Sequence, residues 1–489
     1  MHRLFGTDGI RGVANVEPMT SETALKLGRA AAHVFKTRPG RHRIVIGKDT
    51  RLSGYMIESA LTSGICSMGM DVLLVGPMPT PAIAFLARSL RADAGVMISA
   101  SHNPYEDNGI KFFSRDGLKL PDEVERQIEE LVVSGSIDSL RPTASDIGKA
   151  FRIDDAEGRY IEFVKQSLPK GFDLEGLKVV VDCAHGAAYK VAPHIYRELG
   201  AQVTVLGDKP DGMNINRECG SVSPRVLQET IKAEGAALGV AHDGDADRAV
   251  FVSEDGRVVD GDQVLGALAL DLKKHDRLAR KTMVTTVMSN LGLEQAMDNA
   301  GIKMVRTAVG DRYILERMLA EDYNFGGEQS GHIIFLDHNT TGDGLISALQ
   351  VMALMRRTEK SLSQLAEQIP LYPQTLVNVR VREKKDLAGI ASFQQALRAH
   401  DASLNGCGRI LVRYSGTEPL VRIMVEAEDP RRVQEIAQHL AHVLRTEVGE
   451  ACPRLRHPPR SRPAPWLSCR ARSSSEFSSV QASRTSPFP

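Results

Sequence analysis

The amino-acid sequence predicts an α/β protein: three related α/β domains with mixed sheets, then a smaller C-terminal α+β domain. Three observations carry this expectation. Short apolar runs rich in Val, Ile and Leu alternate with longer stretches of helical period through most of the chain. The alternation starts afresh near residue 177 and again after Gly261, in units of similar size. The last stretch of patterned sequence has three strand-like runs and two helical ones and breaks the rhythm. A chain of 489 residues also exceeds what one hydrophobic core supports.

Taken in order, residues 43–47 read as a strand, 53–69 as a helix, 71–75 as a strand, 80–90 as a helix and 93–99 as a strand. Their short connections imply a mostly parallel, helix-covered sheet. A helix over 122–133 and a Gly/Ser/Asp-rich stretch, 134–149, close a first domain set at 1–150. A helix near 156–168 opens the second, 151–255. It holds strands at 177–183, 202–206, 237–241 and 249–253, and helices at 187–199 and 224–233. The third, 256–370, has helices at 262–274, 292–300 and 310–320 and strands at 282–287, 302–306 and 333–336. Strands at 374–382, 408–413 and 420–427 with helices at 385–399 and 430–447 make the fourth, 371–448.

Residues 449–489 have a different composition. From 451 onward the chain carries seven Arg, no Lys, one acid (Glu476), seven Pro, nine Ser and its single Trp. Such a segment has no structural period and is expected to be a disordered, solvated appendage. It also masks the charge of the body. The whole chain sums to zero, but residues 1–450 hold 54 basic and 60 acidic side chains, a net of −6. A mildly acidic body argues against nucleic-acid binding. No apolar run approaches the roughly 20 residues that cross a bilayer, and the N-terminus has no apolar signal core. Six scattered cysteines without a CxxC pair fit reduced thiols in the cytoplasm.

The chemistry-bearing segments follow strands. Ser99-Ala100-Ser101-His102-Asn103-Pro104 leaves the apolar run at 94–98, and Asn-Pro forces a turn. Ser101 therefore sits at the carboxyl end of a strand, where open α/β sheets bind ligands. It is a candidate nucleophile, with His102 beside it and Lys111 ten residues on. The plainer reading is a turn whose side chains cap their own backbone. Asp243-Gly244-Asp245-Ala246-Asp247-Arg248 also follows a strand. Three carboxylates at alternate positions repel one another unless a hard cation neutralises them. A calcium EF-hand is a second alternative, with Glu254 at its twelfth position, but Arg248 stands where a Gly is required and strands, not helices, flank the loop. Magnesium fits better.

Arg413-Tyr414-Ser415-Gly416-Thr417-Glu418-Pro419 lies between two strands of the last domain. Gly416 between hydroxyls exposes backbone N–H groups, and Arg413 and Arg422 add charge, a combination that holds phosphate. Gly327-Glu328-Gln329-Ser330-Gly331-His332 brings Glu328 and Ser330 to a Gly-rich bend, suited to sugar hydroxyls or an amine. The opening Phe5-Gly6-Thr7-Asp8-Gly9-Ile10-Arg11-Gly12 either carries Arg11 into a site or forms a hairpin turn. Lys48-Asp49-Thr50-Arg51 and Lys111 add cationic groups. Arg11, Lys111, Arg248 and His332 are the candidate proton movers or charge stabilisers. Together these parts suit phosphoryl transfer, where catalysis is mainly positioning and charge neutralisation.

In this order the serine, three-aspartate, Gly-Glu-Gln-Ser-Gly-His and Arg-Tyr-Ser-Gly-Thr motifs resemble the α-D-phosphohexomutases, from about residue 3 to 447. The opening motif, Gln329 and the Tyr414 loop are more similar to the bacterial phosphoglucosamine-mutase branch than to the phosphomannomutase/phosphoglucomutase branch. The resemblance implies a four-domain, heart-shaped enzyme with its site in a central cleft. It implies a phosphoserine at Ser101 and one Mg2+ per subunit, held by Asp243, Asp245, Asp247 and an oxygen of the serine phosphate. The substrate would be a hexosamine phosphate. Glucosamine 6-phosphate and glucosamine 1-phosphate would interconvert through glucosamine 1,6-bisphosphate, feeding UDP-N-acetylglucosamine and cell-wall synthesis. Glu328 and Ser330 would read the sugar, and Arg413, Ser415, Gly416, Thr417 and Arg422 would hold the phosphate that is not reacting. A kinase or a bisphosphate would first load Ser101, and the chain would act as a monomer or homodimer. The alternatives are the same chemistry on mannose or glucose phosphate, a phosphatase that hydrolyses the phosphoserine, and a non-catalytic sugar-phosphate binder.

Overall fold

The computed structural model describes residues 4–449 except positions 7, 39, 141, 406 and 416–418. The expected tail from 450 onward, and Gly416 and Thr417 of the phosphate loop, lie outside the described residues. In chain order, the first domain is β1 (Ile10–Val13), α1 (Ser21–Phe35), β2 (Arg43–Lys48), α2 (Ser53–Ser67), β3 (Asp71–Pro77), α3 (Thr80–Ser89), β4 (Ala94–Ile98), β5 (Asp107–Ser114), α4 (Asp122–Ser134) and β6 (Ala150–Arg152). Its sheet runs β1-β5-β4-β2-β3-β6. Strands β4, β2 and β3 are parallel, as the sequence implies, and β6, which the sequence pattern does not mark, joins them parallel to β3. The expectation of a mostly parallel sheet fails at one edge, where β5 and β1 are antiparallel. The cause is the Asn103-Pro104 turn, which folds the chain back beside the strand it has just left. Lys111 is thereby placed in a strand, paired with Met97.

The second domain is α5 (Ala156–Lys165), β7 (Lys178–Asp182), α6 (Val191–Glu198), β8 (Gln202–Leu206), α7 (Arg225–Glu234), β9 (Leu238–His242), β10 (Ala249–Ser253) and β11 (Val258–Val259). Its sheet order is β11-β10-β9-β7-β8. Helix α6 begins at Val191, not at 187, because the chain first makes a turn in which the Ala187 amide is bound to the Gly244 carbonyl of the aspartate loop (2.8 Å) and the Tyr189 amide to the Gly186 carbonyl (3.2 Å).

The third domain is α8 (Gly261–Lys274), β12 (Thr282–Thr286), α9 (Leu291–Asn299), β13 (Lys303–Thr307), α10 (Asp311–Ala320), β14 (Phe325–Gly327), β15 (Ile333–Phe335), α11 (Gly344–Thr358) and α12 (Leu362–Ala366). Its sheet order is β13-β12-β14-β15. The three sheets share one device. In each, a strand ends in a chemistry-bearing loop and returns antiparallel beside itself: β4 to β5 around Ser101, β9 to β10 around the three aspartates, β14 to β15 around Glu328.

Helix α11 is the hub. Residues 344–355 of it are all buried. Asp343 caps it by accepting from the amides of Leu345 and Ile346, and Tyr160 of α5 donates to the same carboxylate at 2.8 Å. One apolar core therefore runs from Val45 and Phe113 through Val181 and Phe251 to Leu349 and Met352. The fourth domain stands apart, with a core of its own. It comprises β16 (Gln374–Arg380), α13 (Ala391–Leu404), β17 (Gly408–Tyr414), β18 (Leu420–Ala427) and α14 (Pro430–Val448), in an antiparallel sheet ordered β16-β18-β17. Helix α13 lies six residues later at its start than the sequence suggests, because Asp386 caps a short 3-10 turn at Leu387–Gly389 first. This domain is seated on the third by polar bonds: Arg409 to the Ser289 carbonyl (2.8 Å) and Asn290 to the Tyr372 carbonyl (2.9 Å). Among the described residues no helix is long and apolar enough to cross a membrane.

Candidate active site

The serine loop is built from its own domain outward. Ser99 donates to Asp49 at 2.6 Å, and its hydroxyl accepts the Ser101 amide at 2.9 Å. Ser101 itself takes left-handed backbone, φ 51°. A non-glycine residue holds that conformation only where its surroundings over-determine it. Arg51 is one such constraint. Wholly buried and paired with Asp49 (2.8 Å), it donates to the carbonyls of Ser101 (2.9 Å), Asn103 (2.8 Å), Asp107 (3.1 Å) and Pro104. The sequence suggested one more cation for the site. The structure corrects this: Arg51 has its donors turned inward and holds the loop in shape.

The Ser101 hydroxyl donates to Asp243 at 2.6 Å. Asp243, Asp245 and Asp247 are all buried and offer carboxylate oxygens within 4.8 Å of one another. Gly244 makes this approach possible, since a Cβ there would lie 2.5 Å from the Ser101 carbonyl oxygen. Thr80 donates to Asp245 at 2.6 Å. One oxygen each of Asp245 and Asp247 is buried without a hydrogen-bond partner among the described residues. Burial, with Asp247 and Asp245 so close, pushes the Asp243 carboxyl well above its ordinary pKa. Three converging buried carboxylates, two of them with an unsatisfied oxygen, fit a hard divalent cation.

A chain of ion pairs surrounds the triad. Lys111 lies 2.9 Å from Asp245, 3.0 Å from Asp8 and 3.8 Å from Asp247. Burial works against its charge, but those carboxylates win and hold it protonated, above its ordinary value. Lys119 joins Asp8 to Asp311. His332 stands 3.7 Å from Asp247 and 3.4 Å from Asp311. Burial opposes its protonation, yet Asp247 and Asp311 push it up to about 9. His102, 3.3 Å from the Ser101 hydroxyl, goes the other way: burial, then Arg248 and Arg11, push it down to about 4. One imidazole is thus charged at neutral pH and the other neutral.

These groups meet at a cavity of about 490 Å³, lined among others by Arg11, Ser101, His102, Arg248, Glu328 and His332. A larger crevice, about 930 Å³, runs past Phe172, Met355 and Arg356. It holds none of the motif residues, so size alone does not mark the site.

Four consecutive segments match family models of phosphoglucomutase/phosphomannomutase: alpha/beta/alpha domain I over residues 2–136, domain II over 158–256, domain III over 260–372, and the C-terminal domain over 376–443. The chain belongs to the phosphoglucomutase/phosphomannomutase family. Within that family it is similar to the phosphoglucosamine mutases. The one from Syntrophotalea carbinolica is 60% identical over 448 residues, 91% of this chain and 98% of the relative. The one from Geobacter metallireducens is 60% identical over 449 residues, 92% of this chain and all of the relative. In structure it resembles a phosphoglucomutase/phosphomannomutase family protein from Burkholderia thailandensis, with a TM-score of 0.75, 25% identity, and coverage of 91% of this chain and 97% of that one.

Not every expected residue of this phosphoglucomutase/phosphomannomutase chain reaches the cavity. Glu328 lines it and accepts the Gly310 amide at 3.1 Å. Ser330 sits behind, 3.4 Å from Glu328. Lys111 lies beneath the aspartate loop and not on the cavity wall. Arg413 and Arg422 face each other across β17 and β18, inside strands and not in the connection between them. Arg413 Nε is buried without a partner among the described residues, and the Ser415 carbonyl accepts from Lys384 at 2.8 Å. These fourth-domain groups do not line the cavity in this structure. The structure adds Asp8, Thr80, Lys119 and Asp311 and gives Arg51 a different role. Asp8 lay inside a motif already singled out by its glycines; nothing in the sequence around Thr80, Lys119 or Asp311 marks them.

Proposed function

We propose that the chain interconverts glucosamine 6-phosphate and glucosamine 1-phosphate through a phosphoserine at Ser101 and a 1,6-bisphosphate. The observation that carries this reading is the 2.6 Å bond from the Ser101 hydroxyl to an aspartate of the buried triad, at the wall of a sugar-sized cavity. Each domain brings one part: the serine loop from 1–150, the metal loop from 151–255, the sugar loop from 256–370 and the distal phosphate loop from 371–448.

Asp243, Asp245 and Asp247 would hold Mg2+, which as a Lewis acid would offset the phosphoryl charge. The chain's own residues do the rest. Arg11 and Arg248 present guanidinium groups to the phosphoryl oxygens. Glu328 accepts from a hydroxyl or amine of the sugar and so orients it. His102, neutral at working pH and 3.3 Å from Ser101 Oγ, takes the proton of the attacking sugar hydroxyl and passes it to Oγ as the P–Oγ bond of Ser101 breaks and the new P–O bond forms, leaving a free serine hydroxyl. His332, charged, is a donor and a charge stabiliser. For the second half-reaction the bisphosphate turns over, and its other phosphate returns to Ser101. Arg413, Ser415 and Arg422, with Gly416 and Thr417 beside them, would grip whichever phosphate is idle.

Purified protein with Mg2+ and a trace of the matching 1,6-bisphosphate, assayed on glucosamine, glucose and mannose 6-phosphates, tests the reading. Preference for the glucosamine substrate is expected. Preference for glucose or mannose would move the chain to the sister activity, and free phosphate as product would mean a phosphatase. Arg413→Ala is expected to raise the KM of both hexose phosphates on the order of tenfold, the loss of a charge-assisted hydrogen bond. An effect on only one of them would contradict a shared distal loop.

A further inference from the structure

We propose that Asn216 is a positioning residue for phosphoryl transfer: it reaches from the second domain to hold the main chain of the serine loop, and so sets where the Ser101 hydroxyl meets the aspartate loop. Its side-chain amide nitrogen donates to the Ser101 carbonyl at 2.9 Å and to the Asn103 carbonyl at 3.0 Å. Those are the two carbonyls that Arg51 Nη2 also holds. Each therefore accepts two donors, one from its own domain and one from across the boundary. Arg51 by itself ties the loop only to the first domain. Asn216 ties it to the domain that carries Asp243, Asp245 and Asp247.

Asn216 is built for this task. It takes left-handed backbone, φ 58°, which asparagine tolerates better than most residues. Its amide donates to the Ala184 carbonyl at 3.0 Å, two residues beyond Asp182 at the end of β7. It is 8% exposed, and its Oδ1 is buried with no partner among the described residues, so the side chain is used only for its N–H donors. The bare α-carbon of Gly244 lies against the same spot: a Cβ there would come 2.5 Å from the Ser101 carbonyl oxygen and 2.9 Å from Asn216 Nδ2. Serine loop, aspartate loop and Asn216 thus share one contact. Two further bonds cross beside it, from Thr50 to the His185 carbonyl (2.6 Å) and from the Leu52 amide to the Gly212 carbonyl (2.9 Å). They hold the domains together without touching the serine loop, so Asn216 can be altered without parting them. Small errors in placing a reacting atom are costly: about 1 Å can reduce a rate 10²-fold.

This role rests on the mutase reading, and the test separates the two. Phosphoenzyme is made with glucosamine 1,6-bisphosphate, freed of the excess and mixed rapidly with glucosamine 6-phosphate. Loss of the phosphoryl group is followed by intact mass. Asn216→Gly keeps the left-handed backbone and deletes the donors. Asn216→Asp keeps the shape and turns a carboxylate oxygen toward two carbonyls. Both are expected to lower the single-turnover rate constant at least tenfold; Asn216→Gly should melt close to wild type, and Asn216→Asp, which buries a carboxylate against two carbonyls, should melt lower but fold. Partial unfolding would lower the amplitude and leave the rate constant. A variant that melts normally but takes no phosphoryl group from the bisphosphate reports the same loss of position. A rate constant within twofold of wild type in either folded variant overturns the proposal, as does failure of both variants to fold. A wild-type phosphoenzyme inert toward every hexose 6-phosphate would overturn the mutase reading together with it.

Discussion

Ser101→Ala is expected to lower mutase turnover by at least ~10⁴-fold, because no other hydroxyl is placed to carry the phosphoryl group. Ser101 is the residue whose hydroxyl meets the triad, and Ser99, two positions earlier, is spent on Asp49 and on the Ser101 amide. The fold should survive. The loop is held by carbonyl and amide bonds from Arg51, Asn216 and Ser99, none of which uses the Ser101 side chain. A melting curve matching wild type, with no phosphoenzyme by intact mass, is the expected pair of results. Substantial residual turnover would show that another group is the nucleophile.

Asp245→Asn should cost about 10²–10³-fold in rate, the several kcal/mol that a bound cation contributes to phosphoryl chemistry. The amide keeps the shape of the carboxylate and can still accept from Thr80 and Lys111. What it loses is the charge, and with it one of three anionic oxygens that converge within 4.8 Å. Two readouts should move together. The Mg2+ concentration for half-maximal activity should rise. The metal-induced gain in stability should shrink; for a site filled at a hundred times its Kd that gain is about 2.7 kcal/mol. An unchanged Mg2+ requirement would mean that the cation sits elsewhere.

The sequence made the local parts of this molecule readable and left the long-range ones hidden. The alternation over residues 43–99 shows because each strand is a buried apolar run, α2 keeps a polar face, and the short α3 opens on the Pro79-Thr80-Pro81 start signal. Helix α11 escaped the same reading for a physical reason: it is apolar on every side, since 344–355 are buried all round, and a helix without a polar face has no period to detect. The strand β5 escaped because Asp107 and Asn108 look like a continuation of the Asn-Pro turn, although Asn108 is fully buried. In the site, Ser101 and the three aspartates announce themselves by spacing within one loop. The relay from Asp8 through Lys111, Lys119 and Asp311 to His332 joins residues hundreds of positions apart, and only the sheets bring them together. The Arg51 clamp was hidden differently. A lone arginine after a strand is usually solvated, and only its total burial reveals that it grips four carbonyls.

The buried hub has a consequence for how the chain comes apart. Because α11 contributes side chains to a core that also contains residues of the first and second domains, those two and the third cannot lose their packing one at a time. They should melt as one cooperative block. The fourth domain, with its separate core and a seat made of polar bonds to Ser289 and Asn290, has no such obligation. Scanning calorimetry should resolve two transitions of very unequal enthalpy, and within residues 4–449 mild proteolysis should cut first near 371–373, releasing a small folded fragment. A single symmetrical transition would mean that the polar seat couples the fourth domain as firmly as the shared core couples the other three.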